Sequence, residues 1–135
     1  MPTNNKNKNT LLIAVDFDGT CVTHEYPNVG RFIGAQGVLR RITDEGGKLI
    51  LWTMRSGKQL QDAVDWFADN DIPLYGIQNN PTQIHWTSSP KAYAQIYIDD
   101  AALGCPLKEG IAGERPYVDW DAVQDILWPA TSHNT

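Results

Sequence analysis

Leu11-Leu12-Ile13-Ala14-Val15-Asp16-Phe17-Asp18-Gly19-Thr20 is the stretch that decides the fold. Its first five residues form a continuous apolar run, the pattern of a strand buried on both faces in a parallel sheet. Two carboxylates and a hydroxyl follow at the strand's exit, and open parallel sheets bind ligands beyond the carboxyl ends of their strands. Acids side by side are costly away from water, so a divalent cation held by Asp16 and Asp18 would relieve the repulsion, with Gly19 letting the chain turn sharply behind them. Taken alone, the same run also fits a simple Asp18-Gly19 turn after a solvated strand end.

Downstream, the periodicity alternates. Residues 21–30 hold Pro27 and Gly30 and read as an irregular loop. Residues 31–45 carry Phe32, Ile33, Ala35, Val38, Leu39 and Ile42 at helical spacing and stop at Gly46-Gly47. A second apolar run, 48–52, ends at Thr53, and a second helical pattern starts at Ser56 or Gly57 and runs through Leu60, Ala63, Val64, Phe67 and Ala68. Residues 72–77 supply a short third strand, weakened at its start by Pro73. Residues 79–90 are a loop with Pro81 and Pro90, and residues 93–98 form a fourth apolar run closing on Asp99-Asp100. A last helical stripe, Trp120, Val123, Ile126 and Leu127, has Asp119 as its cap and Pro129 as its stop. Alternating strands and helices predict a three-layer α/β sandwich with a mainly parallel sheet, in one domain over 11–128.

The chain of 135 residues is long enough for a core without staples. A net charge of -5 disfavours a general phosphate-binding surface, so a nucleic-acid partner is not expected, although a local basic patch is compatible with it. Cys21 and Cys105 are too few for a disulfide framework, and no apolar stretch is long enough to span a bilayer. Residues 1–10, rich in Asn and Lys, read as a flexible arm and 129–135 as a flexible tail; together these features predict a cytoplasmic protein.

The first, second and fourth apolar runs each end in a polar group: Asp16 and Asp18, then Thr53, then Asp99 and Asp100. A parallel sheet gathers these ends along one edge. Four carboxylates there call for a hard cation, and oxygen ligands with room for water suit Mg2+. A metal among acids suggests phosphate, with Thr53 donating to a phosphoryl oxygen and Lys91 supplying positive charge.

This pattern resembles the haloacid dehalogenase superfamily of phosphohydrolases over about residues 11–107. Its motifs match Asp16-Phe17-Asp18-Gly19-Thr20, the strand ending at Thr53, Lys91, and Ile98-Asp99-Asp100 in order. The resemblance implies a Rossmann-like fold and a magnesium-dependent phosphatase acting on a phosphomonoester. In it Asp16 attacks phosphorus to form an aspartyl phosphate, and Asp18 serves as general acid and base. The cation would be held by Asp16, by the main-chain carbonyl of Asp18 and by an acid of the last motif, with Asp100 as direct ligand and Asp99 behind it. Gly19, Thr20 and Arg55 are expected against the substrate. Only 37 positions separate Asp16 from Thr53 and 46 separate Thr53 from Asp99, which leaves no room for the cap domain many members insert. An open site takes an extended substrate or borrows a lid from a second copy in a homo-oligomer.

Lys91 stands only eight positions before Asp99, so Lys58 or Arg55 is an alternative phosphate cation. His24 is expected at the surface, Cys21 as a small space-filling thiol, and Trp52, Trp66, Trp120 and Trp128 in the core, leaving Trp86 to contact substrate. A receiver-type regulatory module also combines acids, Thr and Lys around magnesium, but its phosphoacceptor would end the third strand, where this chain has Tyr75-Gly76-Ile77. A degenerate metal-binding interaction domain is a third reading.

Overall fold

The first apolar run forms β1 (Leu12–Val15), the central strand. It is followed by α1 (Ala35–Asp44), β2 (Lys48–Leu51), α2 (Gly57–Asp69), β3 (Gly76–Ile77), a 3-10 turn (Gln83–His85), β4 (Ile96–Ile98), β5 (Leu107–Lys108), β6 (Tyr117–Val118) and α3 (Trp120–Leu127). The computed structural model describes residues 11–130; the arm expected over 1–10 and residues 131–135 of the expected tail lie outside these. Four strands pair in parallel in the order β3-β2-β1-β4, with Val15 opposite Leu51 on one side and Ile98 on the other. The α/β fold with a mainly parallel sheet is as expected from the sequence.

Successive strand side chains point to opposite faces. Ile13, Val15, Leu49, Leu51 and Ile98 join one buried cluster, which also takes Val38, Leu39 and Ile42 of α1, Ala63 and Phe67 of α2, and Trp120 and Val123 of α3. All three helices therefore cover one face. Ala14 and Ile50, on the other, meet only Ala92 and Ala94, with Leu12, Trp52 and Tyr75 alongside. The third layer is thus the irregular chain between β3 and β4, relieved by a single 3-10 turn. A right-handed return from β3 past β2 and β1 must cross this face, and Pro81 and Pro90 keep the crossing from being helical. Two buried amides replace the missing regular hydrogen bonds. Asn80 donates to the Tyr93 carbonyl (3.1 Å); Gln83 donates to those of Ser89 (3.0 Å) and Lys91 (2.8 Å) and accepts from the Tyr93 N–H (2.7 Å).

Both crossover helices end alike. After α1, the N–H of Gly46 reaches the Thr43 carbonyl (3.0 Å) and that of Gly47 the Ile42 carbonyl (2.8 Å), the paired closure that needs a left-handed residue, here Gly46 at φ 93°. After α2, the N–H of Asp71 reaches Ala68 (3.1 Å) and that of Ile72 reaches Phe67 (2.9 Å), with Asp71 at φ 58° in the glycine's place. Helix α1 starts at Ala35, not at residue 31, because Gly34 at φ 94° breaks the helical path, and Arg31 instead pairs with Glu114 (2.8 Å). Strands β3 and β4 are shorter than the apolar runs that announced them. The small antiparallel pair β5 and β6, which the sequence reading left out, lies against the turn after β1: the Val118 N–H donates to the Gly19 carbonyl (3.0 Å). Asp119 caps α3 as expected, accepting from the Ala122 N–H (3.2 Å).

Candidate functional site

The ladder runs just past the strands: the Asp16 N–H donates to the Ile98 carbonyl (3.0 Å) and the Trp52 N–H to the Val15 carbonyl (2.9 Å), which sets Asp16, Thr53 and Asp99 at one edge. Phe17 anchors the turn by burying its ring edge-on against Trp66, 5.6 Å between centroids. Asp16, Asp99 and Asp100 each bring a carboxylate oxygen within 4.8 Å of the others, a spacing able to hold a metal ion. Burial pushes the Asp16 carboxyl up to about 7, the Asp99 charge adds to this, hydrogen bonds from Thr20 and the Phe17 backbone pull it down, and Asp100 raises it further. Among the described residues, no cationic side chain offsets the charge of an ionised Asp16. The oxygen-only donor set and the strained acid fit a hard divalent cation.

Thr20, fully buried, ties two of these acids together. Its hydroxyl donates to Asp16 Oδ2 (2.9 Å), lies 3.4 Å from Asp100 Oδ1 and accepts from the Asp100 N–H (3.0 Å). Its carbonyl takes the Trp120 indole N–H (2.7 Å), so α3 fixes it from behind. Gly19, at φ 78°, leaves space that any Cβ would fill against the His24 ring and the Asp100 carboxylate. Neither Gly19 nor Thr20 lines the open cavity; both act on the acids.

A cavity of about 330 Å³ opens beside the acids, lined by Asp16, Asp99, Thr53, Trp52, Met54 and Gln78. Thr53 Oγ1 accepts from the Arg55 N–H (3.1 Å), which leaves its proton free to donate. Gln78, missed by sequence reasoning, frames the cavity: it accepts from the Thr53 N–H (2.9 Å) and donates to the Thr53 carbonyl (2.6 Å). It sits just past β3 in the left-handed region, φ 62°.

Asp18 and Arg55 depart from expectation. Both Asp18 oxygens accept from Arg55, Oδ2 from Nε (2.8 Å) and Oδ1 from Nη2 (2.7 Å), so the Asp18 carboxylate stands apart from the three-acid cluster. The carboxylates spaced so that they could share a metal ion are those of Asp16, Asp99 and Asp100, and that of Asp18 is not among them. Arg55 is 2% exposed and its other N–H groups go to the carbonyls of Pro27, Asn28 and Gln59, which leaves none for substrate. Lys58 pairs with Asp62 on the surface (2.9 Å). Lys91 lies outside the cavity lining, its Nζ 5.6 Å over the Tyr97 ring of β4, and unlike Arg55 and Lys58 it has no carboxylate partner among the described residues.

His24 is half-buried rather than at the surface, its Nε2 2.9 Å from Asp100 Oδ2 without the alignment of a hydrogen bond. Cys21 is buried as expected, and burial raises its thiol well above the ordinary range, which makes it inert. Trp86 is exposed against Tyr93, and it is Trp52 that lines the cavity.

Among solved structures, the chain is similar to a conserved protein from Bacteroides thetaiotaomicron, at 33% identity and a TM-score of 0.72, over 87% of this chain and 89% of that one. The chain belongs to the family of that conserved protein. No family model and no curated protein matches it. No helix among the described residues is long and apolar enough to cross a membrane.

Proposed function

We propose that the protein is a magnesium-dependent phosphatase of the haloacid dehalogenase type that hydrolyses a phosphomonoester at Asp16. The observation that carries this reading is the trio Asp16, Asp99 and Asp100, with oxygens within 4.8 Å of one another, beside a cavity lined by Thr53. When bound, the cation would neutralise the carboxylates and the phosphoryl oxygens. An Asp16 oxygen attacks phosphorus, the bond to the ester oxygen breaks, and that oxygen leaves with its electron pair and a proton from Asp18. A water then gives a proton back to Asp18 as its oxygen attacks phosphorus, which breaks the bond to Asp16 and restores the carboxylate. Thr53 donates to a phosphoryl oxygen, and Lys91 is the cation left for the phosphate.

The receiver reading is weaker because the residue past β3 is Gln78, whose amide is spent on the Thr53 backbone. The test is turnover of p-nitrophenyl phosphate with Mg2+, with chelator, and in Asp16→Asn. Activity that chelator removes and that Asp16→Asn lowers at least about 1,000-fold is the expected result. Residual turnover near wild type in Asp16→Asn, with the fold intact, would sink the proposal.

A further inference from the structure

We infer that Arg55 is a positioning residue that sets the direction of the Asp18 carboxylate, and takes no part in holding phosphate. The inference rests on the phosphatase reading above. Arg55 is almost fully buried, and its five N–H groups are all used: Nε and one Nη2 hydrogen on Asp18 (2.8 and 2.7 Å), the other on the Asn28 carbonyl (2.7 Å), and Nη1 on the carbonyls of Pro27 (3.3 Å) and Gln59 (3.1 Å). A planar fork meeting both oxygens fixes the plane of a carboxylate as well as its place. The fork is itself held between rings, with its carbon 5.0 Å from the Phe17 centroid and 5.1 Å from that of Tyr26.

Among the described residues, no other side chain bonds to the Asp18 carboxylate, so its orientation depends on Arg55 alone. Phosphate binding by Arg55 would strip a donor from a buried carbonyl or from Asp18 and leave that group orphaned. The same guanidinium joins three segments: the turn after β1, the loop through Pro27 and Asn28, and the first turn of α2 at Gln59. It fixes the proton-carrying group relative to the nucleophile two residues away. The chemical consequence is selective. An alkoxide needs the Asp18 proton to depart, whereas a dinitrophenolate leaves unaided.

The experiment compares kcat and KM of wild type, Arg55→Lys, Arg55→Gln and Asp18→Asn on 2-phenylethyl phosphate and 2,4-dinitrophenyl phosphate. Both Arg55 variants are expected to lose about 100-fold in kcat on the phenylethyl ester and less than about tenfold on the dinitrophenyl ester, with KM nearly constant. Asp18→Asn/Arg55→Lys should fall no further than Asp18→Asn alone. Equal losses on the two esters, or a tenfold rise in KM on both, would overturn the inference and leave the phosphatase reading standing. Arg55→Lys keeps the charge and removes the fork, so it serves if Arg55→Gln does not fold. A wild-type protein inactive on both esters would end the phosphatase reading and this inference with it.

Discussion

Thr20 carries no charge, yet Asp16, Asp100 and Trp120 all meet on it. Replacing it by Val keeps the shape but strands the Asp100 N–H and leaves Asp16 without its donor. Thr20→Val should therefore cost about 1–3 kcal/mol in urea unfolding and lower turnover by about 10- to 100-fold, as the loss of a ligand-orienting partner does. Thr20→Ser, which keeps the hydroxyl, should stay close to wild type in both measurements. The acids themselves could be read from the sequence because an apolar run ending in polar residues marks a strand exit. The surroundings of Arg55 and His24 could not, since their partners Asp18 and Asp100 lie 37 and 76 positions away and only the fold brings them together. Trp52 packs beside the core as its apolar strand announces, and that its ring also lines the cavity becomes visible only in three dimensions.

Among the elements, the two helix ends differ by one side chain. Gly46 takes a left-handed conformation freely, whereas Asp71 adopts it with a Cβ in place. Asp71→Gly should raise unfolding stability by about 0.5–1 kcal/mol, and Gly46→Ala should lower it by about 1 kcal/mol, both measured by denaturant midpoint at constant slope. The stop at Gly46-Gly47 was readable in advance because glycine announces it; the one at Asp71 carries no comparable signal. Regular helices and long apolar strands were likewise readable, while the two-residue strands β5 and β6 are too short to show a period. The irregular layer follows from Pro81 and Pro90, but the buried amides of Asn80 and Gln83 that hold it become visible only in three dimensions.

Over the molecule as a whole, the three gathered acids make stability depend on pH. Asp16 rises from an ordinary 3.8 to about 7 on folding without metal, so between these values the folded chain holds a proton that the unfolded chain has lost. That stabilisation is complete below about pH 4 and disappears as pH climbs through 7, a contribution on the order of 2–4 kcal/mol. A bound cation favours the ionised carboxylate instead. Thermal melts should show a larger rise in Tm on adding Mg2+ at pH 8 than at pH 5, and chelator should reverse it. Equal rises at the two pH values would mean that the ion does not settle at Asp16.

The two sides of the sheet also differ in what covers them. Three helices brace one face, while the other rests on Ala92, Ala94 and a winding chain. By the alternation along β1, Asp16 follows Ala14 onto the second face, where Trp52 also packs, so the cavity these two residues line continues the side of the sheet that the helices leave uncovered.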